Sequence, residues 1–574
     1  MTAPLEGAFA RAAAFLAAGL WAIHLWTLPR LLVTFEVQAG PTDLAAAIAW
    51  GLALAVTVSG GLGLAAAGWA RLGLPSLGVA LFVLGGGVAW SLLLIDLQMA
   101  AAQGLHLYWP IVLRALDNAD PNREMHLGAG VFALVGGVSL AHLLTLAAVT
   151  ARLVRRAPPV GVWPQGVALA GALGAATFAW AGTRAFAPET GLARALTLFE
   201  PVFGAVPPGP LDEAPPGFVD PDPPAMSRRP DTLLIAVESL RADAFTPEHM
   251  PALTAFVAER RCVVSARHFT SGTSTEQGIF SLIYGLDAHH FIPFAEARPP
   301  VPALTLTTLR HNGYRLWGAS ASALRAWNGA ALMVDQLGDY VEPADPSAAA
   351  RDARIVDHAL ERPRRSPSFG FLFFDATHFD YDAPPGFAPY GEHPRPDFAD
   401  FFGGDRMRAK AEGIRARYFN AVRWVDTQLG RLLPTLDSET FVAIAGDHGE
   451  AFWEDGQLGH GTNRFHPVRV EVPLVLCLPA SASAPASIER SAHVDVMPTL
   501  FALAGVTLPL DGFGLLSPRP ADAPPIQIAG AGFPVDTGDL CLVDGDVKRW
   551  LVLSRSRAGG AVRTGVRRVT GAGE

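Results

Sequence analysis

Several side chains in this sequence combine types and spacing that could do chemistry at a charged ester. Glu238 directly follows the apolar run TLLIAV. A carboxylate placed just after a buried strand is costly unless it has a partner. An arginine, Arg241 or Arg261, would serve as an ion-pair partner; a metal ion accounts better for an acid in that place. Asp447-His448-Gly449-Glu450 follows a second apolar run, FVAIAG. A carboxylate beside a neutral imidazole, with glycine relaxing the backbone, makes a pair of metal ligands; an ordinary Asp-Gly turn is the alternative. His460 comes next in LGHGTN, a glycine-flanked loop suited to close ligand approach. Asp375, His378 and Asp380 follow a third run, FGFLFF. His378 is a candidate for binding an anion or protonating a leaving group.

The stretch SGTSTEQG, residues 271–278, is rich in hydroxyls and precedes an apolar helical pattern at Ile279, Phe280, Leu282 and Ile283. Thr273 and Glu276 fit a capping box, with Thr273 as the cap. That leaves Ser271, Ser274 and Thr275 unexplained. A helix N-terminus offers free N–H groups and positive potential to a phosphate or sulfate. A hydroxyl in the first turn would sit beside such an anion, but it needs a base or a metal to become a nucleophile.

The elements that must position these residues come from apolar patterning. TLLIAV, YRLWGAS, FGFLFF, FVAIAG and VPLVLCL read as buried strands alternating with helices. In the long helix around residues 406–433, Ile414, Tyr418, Val422, Val425 and Leu429 share one face. This predicts a mostly parallel sheet sandwiched by helices, with the site beyond the carboxyl ends of its strands.

Residues 1–186 read differently. Apolar runs at Ala12–Pro29, Leu44–Ala70, Leu72–Ile95, Leu127–Ala151 and Ala157–Gly182 are each about long enough to cross a bilayer. They predict a five-span α-helical membrane domain, with Gly-rich pieces used for close helix packing. Arg71, Arg152, Arg155 and Arg156 place the N-terminus in the cytoplasm and the α/β domain outside it. Residues 187–230 read as a connector, with a short interfacial helix and a Pro-rich extended arm. The α/β domain is expected over 231–574.

The 574-residue chain carries a net charge of −9 and no basic stripe, which argues against a nucleic-acid partner. Its three cysteines form no CxxC pair, so a cysteine-ligated zinc site is not expected. At most one disulfide can form; buried free thiols are the expectation.

VESLRAD, SGTSTEQGIFSLIYGL, YFNAVRWVDTQLGRLL, GDHGE and HVDVMPTLFALAG, in this order, resemble the sulfatase branch of the alkaline-phosphatase-like superfamily. More specifically, the chain looks like the membrane-anchored members, such as phosphoethanolamine transferases and lipoteichoic acid synthases. LLLIDLQMAAAQGLHLYWPIVLRAL is similar to part of the DUF3413-type membrane domain of inner-membrane sulfatase-like proteins. The resemblance implies one divalent metal (zinc, manganese or magnesium) bound by Glu238, Thr275, Asp447 and His448. It implies Thr275 as nucleophile, and His378 and His460 as substrate-binding residues. The formylglycine motif CxPxR is absent, which disfavours a formylglycine-dependent sulfatase.

Two functions are open on these grounds. One is a metal-dependent hydrolase or transferase acting on phosphate or sulfate esters of envelope lipids, such as phospholipid or lipopolysaccharide headgroups, at the periplasmic face of a bacterial inner membrane. The other is a lipid-binding regulator of lipopolysaccharide and outer-membrane assembly, acting through an inner-membrane protein partner. A transporter fits poorly, because the apolar runs hold few ionisable groups.

Overall fold

A computed structural model describes residues 3–34, 41–103, 144–148, 152, 218 and 222–570, apart from 261, 298–299, 327–328, 364, 397–404, 462–463, 521, 531–536, 545–546 and 559–560. The chain divides into two units, residues 1–202 with 397–404, and residues 203–396 with 405–574.

In the first unit the first three apolar runs form helices α1 (Ala3–Thr34), α2 (Pro41–Arg71) and α3 (Pro75–Gln103). They approach closely at some small residues, whereas a Cβ on Gly60, Gly61 or Gly68 would meet nothing within 4 Å among the described residues. A Cβ on Gly78 would lie 2.5 Å from the Ala66 carbonyl oxygen. Phe9, Leu16, Leu20, Phe82 and Leu93 are buried among the helices, while Leu64, Leu72, Leu84 and Val88 are exposed. Among the described residues one stretch, Ala8–Leu25, is long and apolar enough to cross a membrane; Ala55–Ala70 and Ser76–Ser91 are shorter apolar helical stretches. The fourth and fifth expected spans lie outside the described residues, apart from helical residues at 144–148.

The second unit is built on a seven-stranded sheet. Its strands are β1 (Thr232–Val237), β2 (Val263–Val264), β3 (Arg315–Ser320), β4 (Asp339–Val341), β5 (Ser368–Phe374), β6 (Phe441–Gly446) and β7 (Leu474–Cys477). All five runs read as strands are present. The spatial order is β2-β7-β6-β1-β5-β3-β4. The five strands from β6 to β4 run parallel, and β7 and β2 are added antiparallel to their inner neighbours. Every residue of β1 and β6 is buried, as a two-faced sheet requires. Ile414, Tyr418, Val422, Val425 and Leu429 are all buried on α6 (Ala411–Leu432), which lies after α4 (Thr275–Tyr284) and α5 (Ala348–Glu361) in the chain.

Three features depart from the sequence reading. The start of α4 is shifted by one residue. Ser274, not Thr273, is the N-cap of α4, and it makes no side-chain cap bond. The backbone of Thr273 is committed elsewhere: its N–H donates to Ala529 and its carbonyl accepts from Gly461, so the helix cannot start there. Second, Cys262 and Cys477 form a disulfide beside the antiparallel pairing of β2 with β7, and Cys541 is a buried cysteine outside it. Third, strands at Ile526–Ala529, Thr537–Asp544, Val547–Ala558 and Ala561–Thr570 form an antiparallel sheet that apolar patterning did not bring out. Its first strand is tied to the Ser271–Thr273 stretch through Ala529.

Most of the connector lies outside the described residues. Its described part is held against the α/β unit: Phe218 is buried against Tyr284 and Phe294, and Ser227 N–H donates to the Ala504 carbonyl at 2.9 Å.

Candidate active site and metal centre

Strand register assembles the site. Val237 at the end of β1 is paired with Phe374 of β5 on one side and Gly446 of β6 on the other. The next residue on each strand is Glu238, Asp375 or Asp447, so three acids leave the sheet at one level. The N-terminus of α4 meets them there. Gly278 permits this approach: a Cβ on it would lie 2.4 Å from the Asp447 carbonyl oxygen.

The approach brings together four residues from three places in the chain. Thr275 Oγ1 donates to Glu238 Oε2 at 3.0 Å and lies 3.3 Å from His448 Nε2. His448 Nε2 is 3.3 Å from Glu238 Oε1 and 3.6 Å from Asp447 Oδ2. All four side chains are buried. Ligand atoms of Glu238, Asp447 and His448 lie within 4.8 Å of one another, close enough to hold one metal ion. Arg241 does not pair with Glu238. Its guanidinium is taken by Asp243 and Glu454, each at 2.7 Å. Arg261 lies outside the described residues.

The donor set fits a cation. Asp447 Oδ1 accepts the N–H groups of Ser239 and His448 at 2.9 and 2.7 Å. Its Oδ2 is buried with no hydrogen-bond partner among the described residues. Buried carboxylate oxygens are seldom left so. Burial, and then the neighbouring Asp447 carboxylate, raise the pKa of Glu238 to about 8. Burial raises that of Asp447 to about 7, against the hydrogen bonds from Ser239 and His448. Burial lowers that of His448 to about 4, leaving its ring neutral and able to ligate. Three oxygens and one nitrogen suit zinc, manganese or magnesium.

The two further histidines lie beside this set. The rings of His378 and His460 are 5.3 Å apart, and His460 Nε2 is 3.9 Å from Glu238 Oε1. Glu238, His378 and His460 also place ligand atoms within 4.8 Å of one another. Burial opposes a charge on His378, but Glu238, Asp375 and Glu450 outweigh it and raise its pKa. Burial lowers that of His460. The other acids of the third run are ion-paired: Asp375 with Arg351 at 2.7 Å, Asp380 with Arg395 at 2.5 Å.

Ser239, Glu450 and Tyr381 also belong to the site, and sequence reasoning gave them no role. Ser239 Oγ donates to Glu238 Oε1 at 2.9 Å. Glu450 Oε2 accepts from His460 Nδ1 at 2.7 Å, and Tyr381 donates to Glu450 Oε1. The position of Glu450, two residues after His448 in the same motif, was the one available signal.

The sulfatase family model matches residues 230–506. Inner membrane protein YejM of Salmonella typhimurium is 24% identical over 290 residues, covering 47% of this chain and 41% of that protein. Human iduronate 2-sulfatase is 39% identical over 83 residues, covering 13% of this chain and 15% of that protein. The chain thus spans less than half the length of these curated relatives. The integral membrane protein lipooligosaccharide phosphoethanolamine transferase A from Neisseria meningitidis has a similar fold, with a TM-score of 0.59 at 13% identity over 89% of this chain and 99% of that one. Residues 230–506 of this chain are thus similar to the sulfatase family, and its fold is shared with that transferase.

Proposed function

We propose that the chain is a metal-dependent phosphoesterase or phosphoryl-headgroup transferase with Thr275 as its nucleophile. The observation that carries this is the buried convergence of the Thr275 hydroxyl with Glu238, Asp447 and His448 around an unpartnered carboxylate oxygen. A divalent ion held by Glu238, Thr275, Asp447 and His448 would supply charge neutralisation and a lowered hydroxyl pKa.

The rest is work for the chain itself. Thr275 opens α4, so its oxygen sits where the helix N-terminus favours an anion. Its Oγ1 gives up its proton through the bond to Glu238 Oε2 and attacks phosphorus, the bond to the leaving alcohol breaks, and a covalent phospho-threonine results. His378, whose surroundings favour the imidazolium, binds the phosphoryl oxygens or gives the departing oxygen its proton. Water or a second hydroxyl then takes the phosphoryl group from Thr275. A sulfate ester is the alternative substrate.

The apolar helices of the first unit favour a lipid headgroup as substrate. The Cys262–Cys477 disulfide supports an oxidising compartment, such as the periplasm, for the α/β unit.

The test is turnover of a chromogenic phosphate ester by the purified full chain, with and without added zinc, manganese or magnesium. Metal-dependent turnover that Thr275→Ala abolishes is expected. Equal turnover by both proteins would contradict the nucleophile. No turnover by metal-loaded wild type on any ester would favour the lipid-binding regulator.

A further inference from the structure

Glu450 is fully buried and lies outside the proposed metal-binding set, yet both of its oxygens are engaged. Oε1 accepts from Tyr381, and Oε2 accepts from His460 Nδ1 at 2.7 Å, with Ser239 Oγ a further 3.3 Å contact. The backbone carbonyl of Glu450 is held as well, by Arg241 Nη1 at 2.8 Å. Tyr381 is itself fixed, packed edge-on to Tyr418 and against Phe452. The carboxylate therefore has little freedom to turn away from His460.

An ionised carboxylate only accepts hydrogen bonds. The ring nitrogen facing it must then carry a proton. In a neutral imidazole with the proton on Nδ1, Nε2 is left as an acceptor. Nε2 is the nitrogen that faces the catalytic set, 3.9 Å from Glu238 Oε1. The loop carrying His460 has an independent anchor: the buried Arg469 bonds to Asp455 and to the Gly459 carbonyl. That anchor places the backbone but makes no contact that selects a tautomer.

We propose that Glu450, backed by Tyr381, is a positioning residue: it fixes His460 as the Nδ1–H tautomer and holds Nε2 as the acceptor for the proton of the water or hydroxyl that takes the group from Thr275. The role in turnover rests on the proposed phosphoryl chemistry; the orientation of His460 does not.

Two readouts on the full chain in detergent test this. The first is a proton–nitrogen correlation spectrum of protein labelled with ¹⁵N-histidine, in which His460 is identified by the signal lost in His460→Ala. The expected tautomer is Nδ1–H. In Glu450→Gln the amide oxygen keeps the bond from Tyr381, so the NH₂ group turns to His460 and the tautomer should invert. The second readout is kinetic. Glu450→Gln should lower kcat about 10–100-fold, the usual cost of losing an orienting partner, with KM little changed. In a His460→Ala background it should have no further effect. Tyr381→Phe, which keeps the ring packing, should lower kcat in the same direction by less, and it serves if Glu450→Gln does not fold. An unchanged tautomer in Glu450→Gln, or kinetic losses that add in the double variant, would overturn the proposal. If metal-loaded wild type turns over no ester, the proposed function fails while the spectrum still decides the role of Glu450.

Discussion

The Thr275 hydroxyl lies 3.0 Å from Glu238 Oε2 across 37 residues of chain, and both side chains are buried. The contact exists because one helix N-terminus meets the end of one strand. It aligns a weak nucleophile with an acid that is itself short of positive partners.

That meeting depends on Gly278. A methyl group there would press on the Asp447 carbonyl, which belongs to backbone and cannot swing aside. Gly278→Ala should cost about 1–3 kcal/mol of stability, as overpacking does. It should also lower activity by roughly 10²-fold, the effect of a small misplacement of reacting groups. Chemical denaturation and the ester assay check both. Wild-type activity in the variant would show that the approach of α4 is not critical.

The acids predict a pH dependence. In the metal-free fold Glu238 and Asp447 have pKa values raised to about 8 and about 7, from ordinary values of 4.5 and 3.8. The folded state therefore holds their protons more tightly than the unfolded state does. Their contribution to stability is fully present below the ordinary values and is lost as pH rises toward about 8. A bound cation replaces those protons, so it should stabilise more at about pH 8.5 than at about pH 6. Thermal melts with and without zinc at the two pH values measure this. A metal-induced rise in Tm that is flat or falls with pH would count against these two ligands.

The disulfide joins cysteines 215 positions apart at the β2–β7 edge of the sheet. Replacing Cys477 with alanine should cost about 2–5 kcal/mol. The site lies at the ends of β1 and β6, so folded variant should keep its metal-dependent turnover. Denaturation and assay of Cys477→Ala decide it. A folded variant without turnover would mean that the edge of the sheet shapes the site.

The strands were legible because a sheet covered on both faces demands uninterrupted apolar runs, and TLLIAV and FVAIAG are buried along their whole length. The acids Glu238 and Asp447 were legible for the complementary reason: each breaks such a run at its end. Long-range contacts were not legible. Thr273 looked like a helix cap locally, but bonds to Ala529 and Gly461 took its backbone. Cys262 and Cys477 could be recognised as partners only once β2 and β7 were paired. Tyr381 carries no local signal, since its hydroxyl meets Glu450 only in the folded chain. Glu450 did stand in a recognised motif, but its neighbour His460 arrives by a hairpin that apolar patterning does not reveal.

The central claim is that Thr275 becomes covalently modified during turnover. The most direct measurement is mass spectrometry of peptides from the metal-loaded full chain, quenched in acid while it turns over a phosphate ester. The account predicts one phosphoryl group on Thr275, present in wild type during turnover and absent without metal. Sustained turnover with Thr275 unmodified, and with the same rate in Thr275→Ala, would contradict it.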